Sequence, residues 1–252
     1  MTDNPPPCQF LDWDSEFFGH RIAKINAQRL EPDSLQSVLD WCQVQSIECL
    51  YFLADSNDPQ TVWLAQQNNF HLVEVRIILE RSLKDWDPET RPRAAEDDVL
   101  IRFVEPEDIP FLQDIARTSY VDSRYYFDRN FSEENWQSYY ATWVKKSCSG
   151  GADLALAAVK NGEVIVYITG LVDKENNTGI YELTGVRESA RRSGVGQELF
   201  RSGLDWYVRN QVPAIWVATQ GRNVTTQRMI QRHGFLTKSC QLYYHKWFNE
   251  RA

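Results

Sequence analysis

The sequence predicts a mixed α/β protein built from two consecutive units. Apolar strand segments alternate along the chain with segments whose apolar residues recur at helical spacing. The pair Asn161-Gly162 lies between two apolar strands and favours a two-residue hairpin, so part of the sheet is expected to be antiparallel. A glycine turn joins the apolar strand at 180–186 to an amphipathic helix at 195–209. The 252 residues suffice for two such units.

The first unit, with its linker, is predicted over residues 1–95. Short strands with a bend at Gly19 are expected between residues 10 and 25. The next elements alternate helix and strand: a helix from 32, a strand at 50–54, a helix from 58 to 69 and a strand at 71–83. Prolines and unpatterned charge over 85–98 indicate a solvent-exposed connection, with the domain boundary near residue 95.

The second unit is predicted over residues 96–252. Its expected strands are 99–104, 154–159, 164–172, 180–186, 214–218 and a last strand pair from 236 to 248. Its expected helices begin near 109 and 133 and span 195–209 and 223–232. The segments 61–70 and 226–235 share Thr, Gln and Phe at identical offsets, and both lead from a helix into a strand. Duplication and chance both explain this similarity, and a duplicated first unit would still lack the glycine turn.

Composition narrows the class of protein. The net charge of −8 opposes a broad nucleic-acid surface, and no apolar run approaches the ~18 residues of a membrane helix. The beginning of the chain does not resemble a signal peptide, so a soluble cytoplasmic protein is expected. Five cysteines without metal-ligand spacing indicate buried thiols in a reducing compartment. The histidines at 20, 71 and 233 also lack such spacing, so no metal site is predicted.

The glycine turn Arg191-Arg192-Ser193-Gly194-Val195-Gly196 is the strongest functional signal. It precedes a helix, where free backbone N–H groups and the helix dipole favour an anion such as a pyrophosphate. Glycines let phosphate approach the backbone, and the two arginines add positive charge. A dinucleotide fingerprint is weakened because Leu199 replaces its third glycine, and no lysine followed by Ser or Thr supports a nucleotide P-loop.

The pattern Arg191-x-x-Gly194-x-Gly196, with Val186 before it and Asn223 in the next strand-helix unit, resembles the Gcn5-related N-acetyltransferase (GNAT) superfamily over residues 99–248. The resemblance implies a mostly antiparallel mixed sheet, splayed between the strand ending at Val186 and the strand at 214–218, preceded by a reduced GNAT-like unit. Acetyl-CoA would lie in the splay, with no metal.

The resemblance also assigns donor contacts. Backbone N–H groups of Thr184, Gly185 and Val186 would bind the pantetheine and the thioester oxygen. The backbone from Arg191 to Gly196 would bind the pyrophosphate, and Asn223 would bind the pantetheine arm or the thiolate region.

Three further segments are similar to GNAT enzymes that acetylate dTDP-linked amino sugars: 12–19, Ser123-Arg124-Tyr125, and 217–223 with Asn223 at its end. This likeness favours a nucleotide-linked amino sugar as acceptor. Arg124 could pair with a phosphate, and Tyr125 and Tyr126 could stack on a base or sugar. The alternative is that this segment is an exposed loop anchored by its aromatic residues, which would have the same composition.

The catalytic groups are less well determined. A tyrosine seven residues beyond the equivalent of Asn223 commonly protonates the thiolate in the family, but this chain has Ile230 there. Tyr243, Tyr244 or His245 could replace it, unless these residues only pack, or the thiolate could leave without an enzyme acid. Glu182 could deprotonate the amine through water or be an ordinary strand carboxylate.

The sequence therefore predicts an acetyl-CoA-dependent N-acetyltransferase of a small primary amine that acts by direct transfer. A protein or peptide amine is the alternative acceptor. A non-catalytic acyl-CoA-binding module is the alternative outside enzymes, since Ile230 cannot give up a proton. Neither nucleic acid nor membrane is an expected partner, and a homodimer is left open.

Overall fold

The computed structural model describes residues 6–89 and 98–248, and the predicted mixed α/β class is confirmed. The strands are β1 (Cys8–Phe10), β2 (Ile22–Ile25), β3 (Cys49–Asp55), β4 (His71–Ser82), β5 (Val99–Phe103), β6 (Leu154–Lys160), β7 (Glu163–Asp173), β8 (Thr178–Val186), β9 (Ala214–Gln220) and β10 (Leu236–Trp247). The helices are α1 (Asp12–Phe18), α2 (Pro32–Val44), α3 (Pro59–Gln67), α4 (Ile109–Ser119), α5 (Arg124–Phe127), α6 (Glu133–Lys146), α7 (Val195–Arg209) and α8 (Val224–Arg232).

The strands form one sheet in the order β1-β2-β3-β10-β4-β9-β8-β7-β6-β5. All neighbours pair antiparallel except β2 with β3 and β8 with β9. The hairpin predicted at Asn161-Gly162 joins β6 to β7, and both turn residues have positive φ, 53° and 80°. Short local turns thus set the antiparallel half of the sheet.

The two predicted units exchange their last strands. β10, from the second unit, lies between β3 and β4, and β4, from the first, lies between β10 and β9. One row of paired residues crosses all four strands: Asp55, Gln241, Arg76 and Gln220. The first unit is therefore bonded into the sheet that carries the glycine turn.

Two predicted elements are wrong. Residues 12–18 form helix α1 instead of a short strand, because Trp13 and Phe17 lie on one helical face and Gly19, at φ 70°, ends the helix in the left-handed conformation. Residues 236–247 form one strand instead of a pair, because β10 runs between two partners.

The linker is only partly as predicted. The proposed boundary near residue 95 lies outside the described residues. Trp86, predicted to be solvent-exposed, is buried, and its indole N–H donates to the Asp205 carboxylate at 2.7 Å on α7. This tryptophan fastens the end of the first unit to the core of the second.

Apolar residues form a core on each face of the sheet. One core holds Leu199, Phe200 and Leu204 of α7, and the opposite core packs α4 and α6 against β7 and β8. A third core fills the first unit. All five cysteines are free thiols, of which Cys8, Cys42 and Cys49 are buried. In the described part of the chain, no helix is long and apolar enough to cross a membrane.

Candidate acetyl-CoA and acceptor site

The sheet opens between β8 and β9. Only residues 178–181 of β8 pair with 214–217 of β9, and the last pair is Tyr181 with Val217. Beyond that pair both strands continue, to Val186 and Gln220, without bonding to each other. This opening is where the sequence places the donor.

Backbone donors line the β8 edge of the opening. The Arg187 N–H donates to the Ile165 carbonyl at 2.8 Å, towards β7. Because N–H groups in a strand alternate between its two edges, the N–H groups of Thr184 and Val186 face the opening, while that of Gly185 faces β7. Gly185 is required for packing instead, since a Cβ there would lie 2.3 Å from the Tyr167 ring.

The glycine turn forms a loop of free donors at the end of β8. Arg192 and Gly194 have positive φ, 66° and 85°, and α7 begins at Val195. In the described ranges, no backbone carbonyl accepts from the N–H groups of Arg192, Ser193, Gly194 and Gly196. Such successive N–H groups before a helix bind anions. The Arg191 and Arg192 side chains are exposed beside them.

Asn223 lies at the start of α8, on the other side of the opening. Its side-chain oxygen accepts from the Thr226 N–H at 3.1 Å, so it caps the helix. Only its amide NH₂ is left for a ligand. Ile230, at the position of the family's tyrosine, is buried in the core with Leu199 and Phe200.

Glu182 is the first β8 residue beyond the paired stretch. Its carboxylate accepts from the Trp143 indole and the Ser147 hydroxyl, both at 3.1 Å. It lines a cavity of about 350 Å³ together with Trp13 and Lys146. The carboxylate is thus positioned by two donors while still facing space that can hold a water or an amine.

Arg124 and Tyr125 lie together in a buried cluster. The Arg124 Nη2 donates to the Tyr125 hydroxyl at 2.6 Å, and the guanidinium lies 4.3 Å from that ring and 4.6 Å from the Tyr243 ring. The Tyr125 hydroxyl donates to Asp14 of α1 at 3.2 Å. Tyr126 is 48% exposed and packs against Phe127, so the structure does not bring it into this cluster.

The two candidate tyrosines of β10 lie on opposite faces of the sheet. Tyr243 belongs to the Arg124 cluster, and burial raises its pKa although Arg124 and Arg76 oppose the shift. Tyr244 lies in the core of the first unit, with its ring stacked on Phe52. The structure therefore brings Tyr243, and not Tyr244, together with the predicted acceptor residues.

His245, the third candidate, is fully buried. Its Nδ1 lies 2.6 Å from the Asp128 carboxylate, which also accepts from the Trp247 indole at 2.9 Å. Burial lowers the pKa of His245 to about 4 despite Asp128. Burial alone would raise the pKa of Asp128, but the hydrogen bonds from His245 and Trp247 outweigh it and hold the value at about 2.

Sequence reasoning missed residues that reach the site from distant elements. The Tyr120 hydroxyl lies 2.9 Å from that of Tyr167, beside the backbone of Thr184 on β8. Glu74 and Arg76 come from β4 of the first unit. Their two-residue spacing indicates that both side chains lie on one face of the strand, but nothing local indicates that β4 pairs with β9. No group of three or more metal-ligating residues occurs within residues 6–89 and 98–248.

Known proteins resemble this chain in sequence and in fold. The model of the Acetyltransferase (GNAT) family matches residues 109–235. The spore coat polysaccharide biosynthesis protein SpsD of Bacillus subtilis (strain 168) is 27% identical over 148 residues, which are 59% of this chain and 50% of that protein. The aligned part thus spans half the length of that curated relative.

Two solved structures share the architecture. A GCN5-related N-acetyltransferase from Sphaerobacter thermophilus has a TM-score of 0.68 at 15% identity, over 97% of this chain and 77% of the other. A tandem GNAT protein from the clavulanic acid biosynthesis pathway has a TM-score of 0.66 at 13% identity, over 93% and 77%. Identities this low establish the fold, and they leave the substrate to be argued from the site.

Proposed function

Since this chain belongs to the acetyltransferase (GNAT) family, we propose that it is an acetyl-CoA-dependent N-acetyltransferase of a small primary amine, in particular a nucleotide-linked amino sugar. The observation that carries the proposal is the opening between β8 and β9, which leads directly into a loop of free N–H groups at the start of α7. A pyrophosphate at the loop and an acyl chain in the opening would fit one extended donor.

The donor would lie along the edge of β8. The N–H groups of Thr184 and Val186 would bind the thioester oxygen and the pantetheine, and Gly185 would let β8 pack closely on Tyr167. The free N–H groups of Arg192, Ser193, Gly194 and Gly196 would bind the pyrophosphate. The N–H groups of Arg191 and Val195, also predicted to bind it, donate to Glu188 and Ser193 instead. The NH₂ of Asn223 would contact the pantetheine arm from the opposite side.

Transfer would be direct. The neutral amine attacks the thioester carbonyl carbon, the nitrogen–carbon bond forms, and the carbon–sulfur bond breaks with its electron pair on the CoA sulfur. Glu182 would accept the amine proton through water, because its carboxylate faces the cavity. Tyr243 is the candidate donor of a proton to the thiolate, and Tyr244 is a weaker candidate because it lies on the other face.

An amino-sugar acceptor is supported by three features. The segments containing Arg124 and Asn223 resemble those of dTDP-fucosamine acetyltransferase, and the relative in Bacillus subtilis is named for polysaccharide biosynthesis. Arg124 offers a positive charge held against the buried ring of Tyr125, and Tyr126 adds an exposed ring. Five free cysteines agree with a reducing compartment, and we place the enzyme in the cytoplasm.

A non-catalytic acyl-CoA-binding module is the second candidate, favoured by the buried Ile230 at the tyrosine position. Calorimetry with acetyl-CoA, combined with CoA release over a panel of amino sugars, nucleotide-linked amino sugars and peptides, separates the candidates. Binding with turnover on an amino sugar is the expected result. Turnover only on peptides would replace the acceptor, binding without turnover would favour the module, and no binding would overturn both candidates.

A further inference from the structure

The exchanged strand β4 carries a cation from the first unit to the face of the predicted acceptor site. The backbone of Arg76 lies opposite Gln220 of β9 and Gln241 of β10. Its side chain is largely buried on the same face as Tyr243 and Glu74, with which it interacts electrostatically. In the described part of the chain, the Arg76 guanidinium has neither an ion pair nor a side-chain hydrogen bond.

Arg124 is a second cation in the same place. Its guanidinium lies among the rings of Tyr51, Tyr125 and Tyr243, at 5.6, 4.3 and 4.6 Å. Its Nε is buried and has no partner among the described residues, and the same is true of the Tyr51 hydroxyl. Native proteins rarely leave such buried donors unsatisfied, so these atoms point to a ligand that is bound in the working state.

The nearby carboxylates do not neutralise the two arginines directly. Glu74 accepts from the backbone N–H of Arg124 at 3.1 Å, and Asp14 accepts from the Tyr125 hydroxyl at 3.2 Å. Neither carboxylate lies within ion-pair distance of either guanidinium. Burial lowers the pKa of Arg76, and repulsion by Arg124 adds to that shift. Two like charges placed together at low dielectric favour binding of an anion between them.

We propose that Arg76 and Arg124 together bind the diphosphate of a nucleotide-linked acceptor, so that the first unit supplies a specificity-determining side chain to the site of the second. This inference rests on the proposed function and deepens it. Two guanidinium groups match the several oxygens of a diphosphate better than a single carboxylate. The exposed ring of Tyr126, in the short helix that Arg124 begins, gives a base a surface to stack on, whereas the Phe127 ring is already covered by the Arg222 guanidinium at 3.4 Å.

The inference is tested by calorimetry with dTDP, UDP and inorganic pyrophosphate in saturating CoA, which keeps these probes out of the donor's own pyrophosphate site. The wild type is expected to bind both nucleotides. Arg76→Gln is expected to weaken both by about tenfold or more and to leave acetyl-CoA affinity unchanged. Arg29→Gln is the control, since it removes the same charge from an exposed position in the first unit.

Arg124→Lys keeps the buried charge and is the variant to use if Arg124→Gln does not fold. Because an ammonium lacks the planar fork, it is expected to weaken nucleotide binding less than loss of the charge does. Equal nucleotide affinity in Arg76→Gln and wild type would overturn the site. So would a wild type that binds none of the three probes. In either case, CoA release with an amine that lacks phosphate would leave the proposed acetyltransferase activity standing. If pyrophosphate binds as tightly as the two nucleotides, the base adds no affinity. The two arginines would then stand as the diphosphate site, and the proposed stacking of the base would be wrong.

Discussion

Asp58 and Asn223 occupy the same structural position in the two halves of the chain. Each side-chain oxygen accepts from the backbone N–H three residues on, Thr61 for Asp58 and Thr226 for Asn223, both at 3.1 Å. Each residue thereby begins the helix that leads into the exchanged strand.

The equivalence extends beyond the caps. Asn69 and Gly234 both have positive φ, 55° and 80°, at the ends of those helices, and the following Phe70 and Phe235 are both buried. The pairing of β3 with β10 mirrors that of β9 with β4. The short sequence similarity between 61–70 and 226–235 therefore coincides with a repeated helix-strand unit, which supports duplication over chance.

We expect the second unit not to fold alone. A chain of residues 98–252 would leave β9 and β10 without β4 between them, and β10 without β3, which exposes unpaired backbone on the sheet. Co-expression with residues 1–89 should restore a soluble complex that binds acetyl-CoA, measured by circular dichroism and calorimetry. A folded 98–252 fragment with a cooperative thermal transition of its own would contradict this expectation.

Gly194→Ala should weaken acetyl-CoA binding by about tenfold, because a methyl group would stand where the phosphate approaches the N–H groups. Gly162→Ala is a matched control: both glycines have positive φ, 85° and 80°, and open space around the missing Cβ. Each substitution should cost roughly 1–2 kcal/mol of stability through the backbone alone. Calorimetry measures both affinities for acetyl-CoA. Equal values in the two variants would show that the pyrophosphate does not bind at this loop.

Glu182→Gln should lower kcat/KM by about 100-fold and leave acetyl-CoA affinity unchanged, since an amide keeps an acceptor for Trp143 but cannot take the amine proton. Glu163→Gln, at an exposed position on β7, is the control. A variant with wild-type turnover would make Glu182 a structural carboxylate that only fastens Trp143 and Ser147.

Tyr243→Phe should reduce turnover by about 10- to 100-fold, because the hydroxyl is the only part of the side chain that can give the thiolate a proton. Tyr244→Phe, which changes a ring packed on Phe52, should keep turnover at the wild-type level. Steady-state CoA release measures both variants. Full activity in Tyr243→Phe would show that Tyr243 does not protonate the thiolate. Reduced activity in Tyr244→Phe alone would make Tyr244 the proton donor instead.

Acid should destabilise the protein in two steps through the buried pair Asp128 and His245. The folded pKa of His245, about 4, lies below its ordinary 6.5, so the unfolded chain binds the proton first and stability falls as the pH drops from 6.5 to 4. The loss should be on the order of 3 kcal/mol. Asp128, at about 2 against 3.8, adds a further loss below pH 4.

Urea unfolding at a series of pH values measures this effect. His245→Gln should flatten the dependence between pH 6.5 and 4, because the variant lacks the buried imidazole that takes up the proton on unfolding. The same slope in His245→Gln and wild type would mean that other groups take up the protons.

Local sequence was enough to predict the parts of the molecule that depend on neighbouring residues. Asn161-Gly162 makes its hairpin and Gly194 its positive φ because glycine and asparagine tolerate that conformation locally. The donor loop could therefore be identified from six consecutive residues. Helix α1 was missed because, over so short a segment, its apolar residues fit both the helical period and the strand period.

The distant side chains that complete the site are brought together by long-range strand pairing. Backbone hydrogen bonds between strands are alike for nearly all residue types, so the sequence of β4 states which side chains share a face and not which strands lie beside it. The exchange of β4 and β10 therefore could not be predicted from the sequence. For the same reason, the position of Arg76 close to Arg124 could not be predicted. The donor half of the site is local in sequence, whereas the acceptor half is assembled by long-range packing.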